Sequence, residues 1–134
     1  MGIADLPLLG QIKGRLNWLD ERQRVIAQNV ANSDTPGYAA RDLNQPTDFA
    51  AALRNGAGVR MARTSAMHIA PQGQQARFES AASPDSETTL DGNSVVVEEQ
   101  MLKMSESRMA YDAAIGIYQK SMQMLRMAAR APGR

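Results

Sequence analysis

The sequence predicts a mainly α fold: an antiparallel, coiled-coil-like pair of long terminal helices joined by a short irregular middle segment containing little β. Three observations carry this expectation. Apolar residues recur at helical spacing near the N-terminus, a heptad run fills most of the C-terminal part, and four of the six prolines fall between them. A length of 134 residues suits one domain, 1–134, because two cores would leave too few residues for either. The pattern assigns an N-terminal helix to 9–32, the irregular middle to 33–94 and a C-terminal helix to 95–129.

Composition narrows the function classes. Hydrophobic residues make up 43% of the chain, yet aromatics only 4%. Much of the apolar fraction is alanine, which forms helix well but buries little area per residue. Long helices that find partners elsewhere use such a chain better than a large private core does. The 15 basic and 14 acidic residues balance to +1, which leaves no electrostatic footprint for nucleic acid or anionic lipid. There is no cysteine, hence no disulfide framework, thiol nucleophile or cysteine zinc site. A mean hydropathy of −0.39 and the lack of a long apolar run exclude a membrane-spanning helix.

The first ten residues lack a basic segment followed by a long apolar one, so no cleavable secretory signal is expected. From there Leu9, Ile12, Leu16, Leu19, Ile26 and Val30 fall on one helical face, with Gln23 interrupting and Trp18 and Val25 widening it. Periodicity alone leaves two arrangements open, a core helix of a small bundle or half of a coiled-coil seam. The helix must end near Asn32. Ser33, Asp34 and Thr35 form turns, Pro36 biases Thr35 out of the α region, and Gly37 supplies the positive φ of a type II turn.

The run from Asn29 to Tyr38 resembles the N-terminal signature of the bacterial flagellar axial proteins, those of the rod, hook and hook-associated segments. Its elements are Asn29 and Asn32, three residues apart, then Thr35-Pro36-Gly37 and Tyr38, after an amphipathic helix near the N-terminus.

The middle is less informative. Residues 48–53 suit a short helix, Val59 to Met61 and Arg77 to Glu79 have the length and flanks of brief strands, and Ser80 to Asp91 is expected to be a mobile loop. The single histidine, His68, lies between Met67 and Ile69 with no second histidine or cysteine to share a metal. Asp85 and Glu87 are close enough to share a site, but the surrounding serines and threonines suggest a solvated loop. No nucleophile elbow or phosphate loop occurs. No catalytic, cofactor-binding or metal-binding residue is therefore assigned, and no enzyme activity is expected. Thr64 to Ile69 resembles a segment of proximal-rod subunits, and 33–94 is too short for the large β-domains of hook and distal-rod subunits.

At the C-terminus, Asp91-Gly92 forms a turn and Asn93 and Ser94 are candidate N-caps, with Glu98 and Glu99 near the positive helix end. Then Val97, Met101, Met104, Tyr111, Ile115, Tyr118, Met122 and Leu125 keep alternating gaps of four and three, interrupted at Arg108. A second stripe runs through Ala110, Ala114, Ile117, Ser121, Met124 and Ala128. A helix from 95 to 129 is roughly 50 Å long, more than the N-terminal helix can cover. Two stripes imply burial on more than one face, with other subunits as cover. The methionines suit either such interfaces or ordinary core filling. This segment resembles the proximal-rod subfamily in its Asn-containing turn, valine, acidic pair, Met-rich helix and central Tyr111. It departs at Ser94 and Val96, where that pattern has a second asparagine and an acidic residue.

The resemblance implies a structural subunit at the cell-proximal end of the flagellar rod, polymerising helically through its terminal helices around an export channel. It implies residence in the periplasmic rod of the basal body after type III export without a cleavable signal. The implied partners are copies of the chain and other rod subunits, a basal-body adaptor protein, and the export gate and membrane–supramembrane ring at the rod base. The type III export apparatus completes the set; nucleic acid and small-molecule substrates do not belong to it. Two neighbouring readings are a sister proximal-rod subunit and a helical adaptor or chaperone of a type III secretion system.

Overall fold

Proline at position 7 starts the first helix two residues before the apolar spacing does, because a first-turn residue needs no intrahelical N–H bond. In the computed structural model, which describes residues 7–45 and 78–130, helix α1 spans Pro7–Ala31 and strand β1 Arg41–Leu43. Strand β2 spans Ser80–Ala82 and helix α2 Val97–Ala129. The long helices and the small two-stranded sheet make the fold mainly α, as the sequence predicts.

The helices run antiparallel. Asn29, near the end of α1, bonds Gln100 near the start of α2, whereas Trp18 and Leu19 further back pack with Ala110 and Tyr111 further on. The cluster of Trp18, Leu19, Val25 and Leu43, joined by Phe78, Ala110 and Tyr111, ties helix pair and sheet together. Trp18 is 1% exposed; its indole N–H donates to Asn44 O at 3.1 Å, which removes the penalty of burying a donor. The guanidinium groups of Arg15 and Arg22 stand 5.5 and 5.6 Å from its ring centre. Arg22 also forks onto Asp42 with two 3.0 Å bonds, pinning β1 to α1.

β1 and β2 pair antiparallel, with Arg41 opposite Ala82, Asp42 opposite Ala81 and Leu43 opposite Ser80. The strand expected at Arg77 to Glu79 therefore lies further on, at 80–82, since buried Leu43 fixes the register from the β1 side. The following stretch is no free loop. Ser83 N donates to Ala40 O at 2.8 Å, Asp85 N to Ser94 O at 3.1 Å and Thr89 N to Asn93 O at 2.8 Å. The expected helix at 48–53, the strand at Val59 to Met61, and His68 lie outside the described residues.

The most buried row of α2 meets the second expected stripe, at Ala114 and Ser121, rather than the first. Its buried residues are Gln100, Ser107, Ala114 and Ser121, a strict seven-residue row of small or polar side chains. The expected row through Met101, Ile115 and Met122 sits one residue further round. Met101 is exposed; Ile115 and Met122 are half-buried beside Met104, Tyr111, Tyr118 and Leu125. Volume explains the shift. Leu9, Ile12, Trp18, Leu19 and Ile26 of α1 are all buried and already fill the interface, so α2 packs best by presenting little bulk.

Candidate functional site

The signature residues come together where α1 ends and α2 begins. Asn29 is fully buried on the last turn of α1 and uses its whole amide. Its Nδ2 donates to Arg41 O at 2.6 Å and to Gln100 Oε1 at 2.9 Å. Its Oδ1 accepts from Arg41 N at 3.0 Å and Tyr38 Oη at 3.2 Å. An asparagine side chain thus pairs with Arg41 as a neighbouring strand would, while also reaching α2. Aspartate or leucine could not supply both functions.

Asn32 works locally: its Nδ2 caps Gln28 O at 2.8 Å and its Oδ1 accepts from Thr35 Oγ1 at 3.1 Å. Tyr38 N closes the turn on Thr35 O, with Pro36 second and Gly37 third at φ +70°. Gly92, at φ +84°, faces it: a β-carbon there would stand 3.4 Å from Gly37 Cα. Gly37 N donates to Asp91 O at 2.9 Å, so the turns after α1 and before α2 meet backbone to backbone.

Asn93, 2% exposed, mirrors Asn29 from the other side. Its Nδ2 donates to Asn32 O at 2.9 Å and Thr35 O at 2.7 Å, and its Oδ1 accepts Val95 N at 2.9 Å. Buried Ser94 accepts Ala40 N on its hydroxyl at 3.0 Å and donates its own N–H to Tyr38 O at 3.0 Å. Neither residue is the N-cap that the sequence suggests. The cap position is Val96, which has no side-chain cap bond, and α2 starts at Val97 rather than 95.

A distant carboxylate takes over that role. The Asp85 side chain is wholly inaccessible and accepts Val96 N at 2.9 Å, Gln100 Nε2 at 2.7 Å and Lys103 Nζ at 2.8 Å. Burial by itself pushes its pKa up, but donors from Lys103, Gln100 and Val96 and the lysine charge hold it below the ordinary carboxylate value. The solvated Asp85 expected from its serine-rich context is thus a buried anchor for the first turn of α2. Exposed Asp91 is also held low, by Thr89 Oγ1 and then by Asn93 N. Among the described residues no group of acidic or histidine side chains is arranged to hold a metal, and no helix is long and apolar enough to cross a membrane.

Away from this polar end, α2 carries an uncovered apolar stripe. Leu102, Met109, Ile117, Met124 and Met127 are all more than half exposed, as is Met101, and Val97 is exposed beside them. Helical spacing puts Leu102, Met109, Ala113, Ile117 and Met124 on the side away from Gln100 and Ser107. On α1, by contrast, Leu9, Ile12, Leu19 and Ile26 are buried and Leu16 and Val30 half-buried within the chain itself. Sequence reading missed Asn93, Gln100 and Asp85 as structural anchors. Polar residues beside a turn were the available signal, but their partners lie far away in the sequence.

Comparison with known proteins follows this geometry. Residues 13–38, the greater part of α1 and the turn, match the model of the family described as flagella basal body rod protein. The chain is 30% identical over 108 residues to the flagellar basal body rod protein FlgB of Salmonella typhimurium, covering 76% of this chain and 78% of the relative. It is 30% identical over 106 residues to the protein of that name from Cereibacter sphaeroides, covering 79% and 80%. With its namesake in Yersinia ruckeri it shares 29% over 111 residues, covering 76% and 78%.

Proposed function

Because the chain belongs to the FlgB family of flagellar basal-body rod proteins, we propose that it is a structural subunit of the proximal rod. In this reading it polymerises helically through its terminal helices to form part of a hollow drive shaft and export channel. The observation that carries the reading is the apolar stripe of α2, which α1 leaves open. Burying such a stripe between subunits contributes about 25 cal/mol per Å² of apolar area, and a monomer forgoes all of it. The signature turn supports the same reading: it fixes the two helices in one relative geometry, so every copy offers neighbours the same surface. Contacts between unlike faces propagate rather than close, which suits a rod.

The partners are copies of this chain and other rod subunits, with the adaptor protein and the export gate and membrane–supramembrane ring at the base. Export through the type III apparatus delivers the chain to the periplasmic rod. Its work is mechanical and needs neither cofactor nor catalysis. Deletion tests this: cells should retain a membrane-embedded basal ring but lack a rod. Complementation with Met109→Leu should restore motility and Met109→Asp should not, with both purified chains equally helical. A closed, soluble oligomer with a full rod in deleted cells would point instead to an adaptor or chaperone.

A further inference from the structure

The chain contains no cysteine, so methionine is its only sulfur. Of the nine methionines, Met101, Met104, Met109, Met122, Met124 and Met127 lie on α2, and the others fall outside the described residues. The helix sorts its methionines into two environments. Met109 is 66% exposed, Met127 65%, Met101 59% and Met124 51%. Met104 and Met122 are half-buried. Helical geometry explains the division. Met109 and Met127 are about five turns apart and point the same way, with Met124 about a sixth of a turn from them and Met101 on the flank. Met104 and Met122 have the same spacing but lie on the side of Ser107 and Ala114, the row that faces α1.

Burial removes the competing targets. Trp18, whose indole is the next side chain open to oxidation, is 1% exposed and bonded to Asn44 O. Tyr111 packs against the core cluster. Among the described residues, an oxidant arriving from solvent therefore meets the thioethers on the outer side of α2 first.

We propose that Met101, Met109, Met124 and Met127 form a reversible oxidation site, a sulfoxide switch on the apolar stripe of α2, with hydrogen peroxide as the oxidant. A thioether lone pair attacks one peroxide oxygen, and the S–O bond forms as the O–O bond breaks. The departing hydroxide takes the proton of the transferred oxygen and leaves as water, so sulfur is oxidised to the sulfoxide and peroxide is reduced. The product puts a strong hydrogen-bond acceptor where an apolar side chain stood, and burying it without a donor costs free energy. The stripe is thus adhesive when reduced and stays wet when oxidised. Its consequence rests on the rod reading. A free copy is open to oxidant, whereas a copy whose stripe is covered is shielded, so the switch acts before docking and not after it. Sulfoxide reductases return the thioether, which makes the exclusion of an oxidised copy reversible. The periplasm, where the rod reading places the chain, is an oxidising compartment.

The test treats the full-length chain with hydrogen peroxide at neutral pH and follows each methionine by mass spectrometry of its peptides. Met109 and Met127 should gain oxygen at least about threefold faster than Met104 and Met122. Circular dichroism should show the helix content of the untreated chain. Fluorescence of anilinonaphthalene sulfonate, a dye that reports exposed apolar surface, should fall at least about threefold and return after treatment with reductases for both sulfoxide epimers. A smaller rate ratio, loss of helix on oxidation, or dye binding indifferent to oxidation would each overturn the switch. In cells, the Met109→Gln, Met124→Gln, Met127→Gln variant sets an amide dipole where each sulfoxide would stand, and it should fail to restore motility to the deletion strain. Full motility from that variant would overturn the switch while leaving the rod reading intact. A complete rod in the deletion strain would overturn the rod reading instead, and the order of oxidation would stand.

Discussion

The turn end and the outer face of α2 are built on opposite rules. At the turn end nearly every buried polar atom has a partner: the side chains of Asn29, Asn93, Ser94 and Asp85 bond the backbones of Arg41, Thr35, Ala40 and Val96, and Asn29 also bonds the Gln100 side chain. Along α2 the outward residues have apolar side chains and nothing against them. The first arrangement is complete within one chain and defines a geometry. The second is complete only when something else arrives. The comparison teaches where this protein keeps its specificity and where it keeps its adhesion: hydrogen bonds set the shape, and methionine and leucine supply the contact area.

Removing Asn29 should break the first arrangement most severely. Asn29→Ala strands Arg41 N, Arg41 O and Gln100 in a buried site, and chemical denaturation should register a loss of about 3 kcal/mol. Asp85→Ala comes next, at about 2–4 kcal/mol, since it leaves Lys103 and two donors without their acceptor. The same carboxylate makes the fold acid-sensitive. Its folded pKa lies below the unfolded value of about 3.9, so its contribution is present above that pH and is lost as pH falls through the folded value. A thermal melting series should therefore show the parent losing stability in that acid range and Asp85→Asn losing less. Gly92→Ala should cost about 1–2 kcal/mol, as an L side chain is forced to φ +84°. On the outer face, Met109→Asp should change monomer stability by no more than about 0.5 kcal/mol. A large loss there would mean that the stripe serves the fold of the single chain, and the contrast between the two regions would collapse.

How legible each region was in the sequence follows from the same contrast. The helix, its stop and the left-handed Gly37 could be read because they are local: Pro36 and Gly37 dictate their own turn, and Asn29 to Tyr38 lie within three turns' length of chain. Asp85 could not be read, because what makes it an anchor is Val96, Gln100 and Lys103, which reach it only after the chain has folded back. The inner row of α2 was legible only in part, at Ala114 and Ser121 of the second stripe, for a different reason. Ranking positions by hydrophobicity selects Met101, Ile115 and Met122, but the inner row is chosen by the space that Trp18 and Ile26 leave, and that space favours Ser107 and Ala114. Residue-type patterns identify faces suited to burial; they do not say which face meets which neighbour.

The bond between Asn29 and Gln100 spans 71 positions in the sequence. Every stabilising contact between the two helices closes a loop of comparable size, which makes their pairing slow to nucleate and leaves each helix without its partner helix in either half of the chain. A chain passing end-first through a narrow conduit could therefore not fold behind itself and jam: whichever terminus leads, its helix finds no mate until the opposite one has cleared the exit. Under the proposed export, this topology makes pairing of the two helices the last event of delivery.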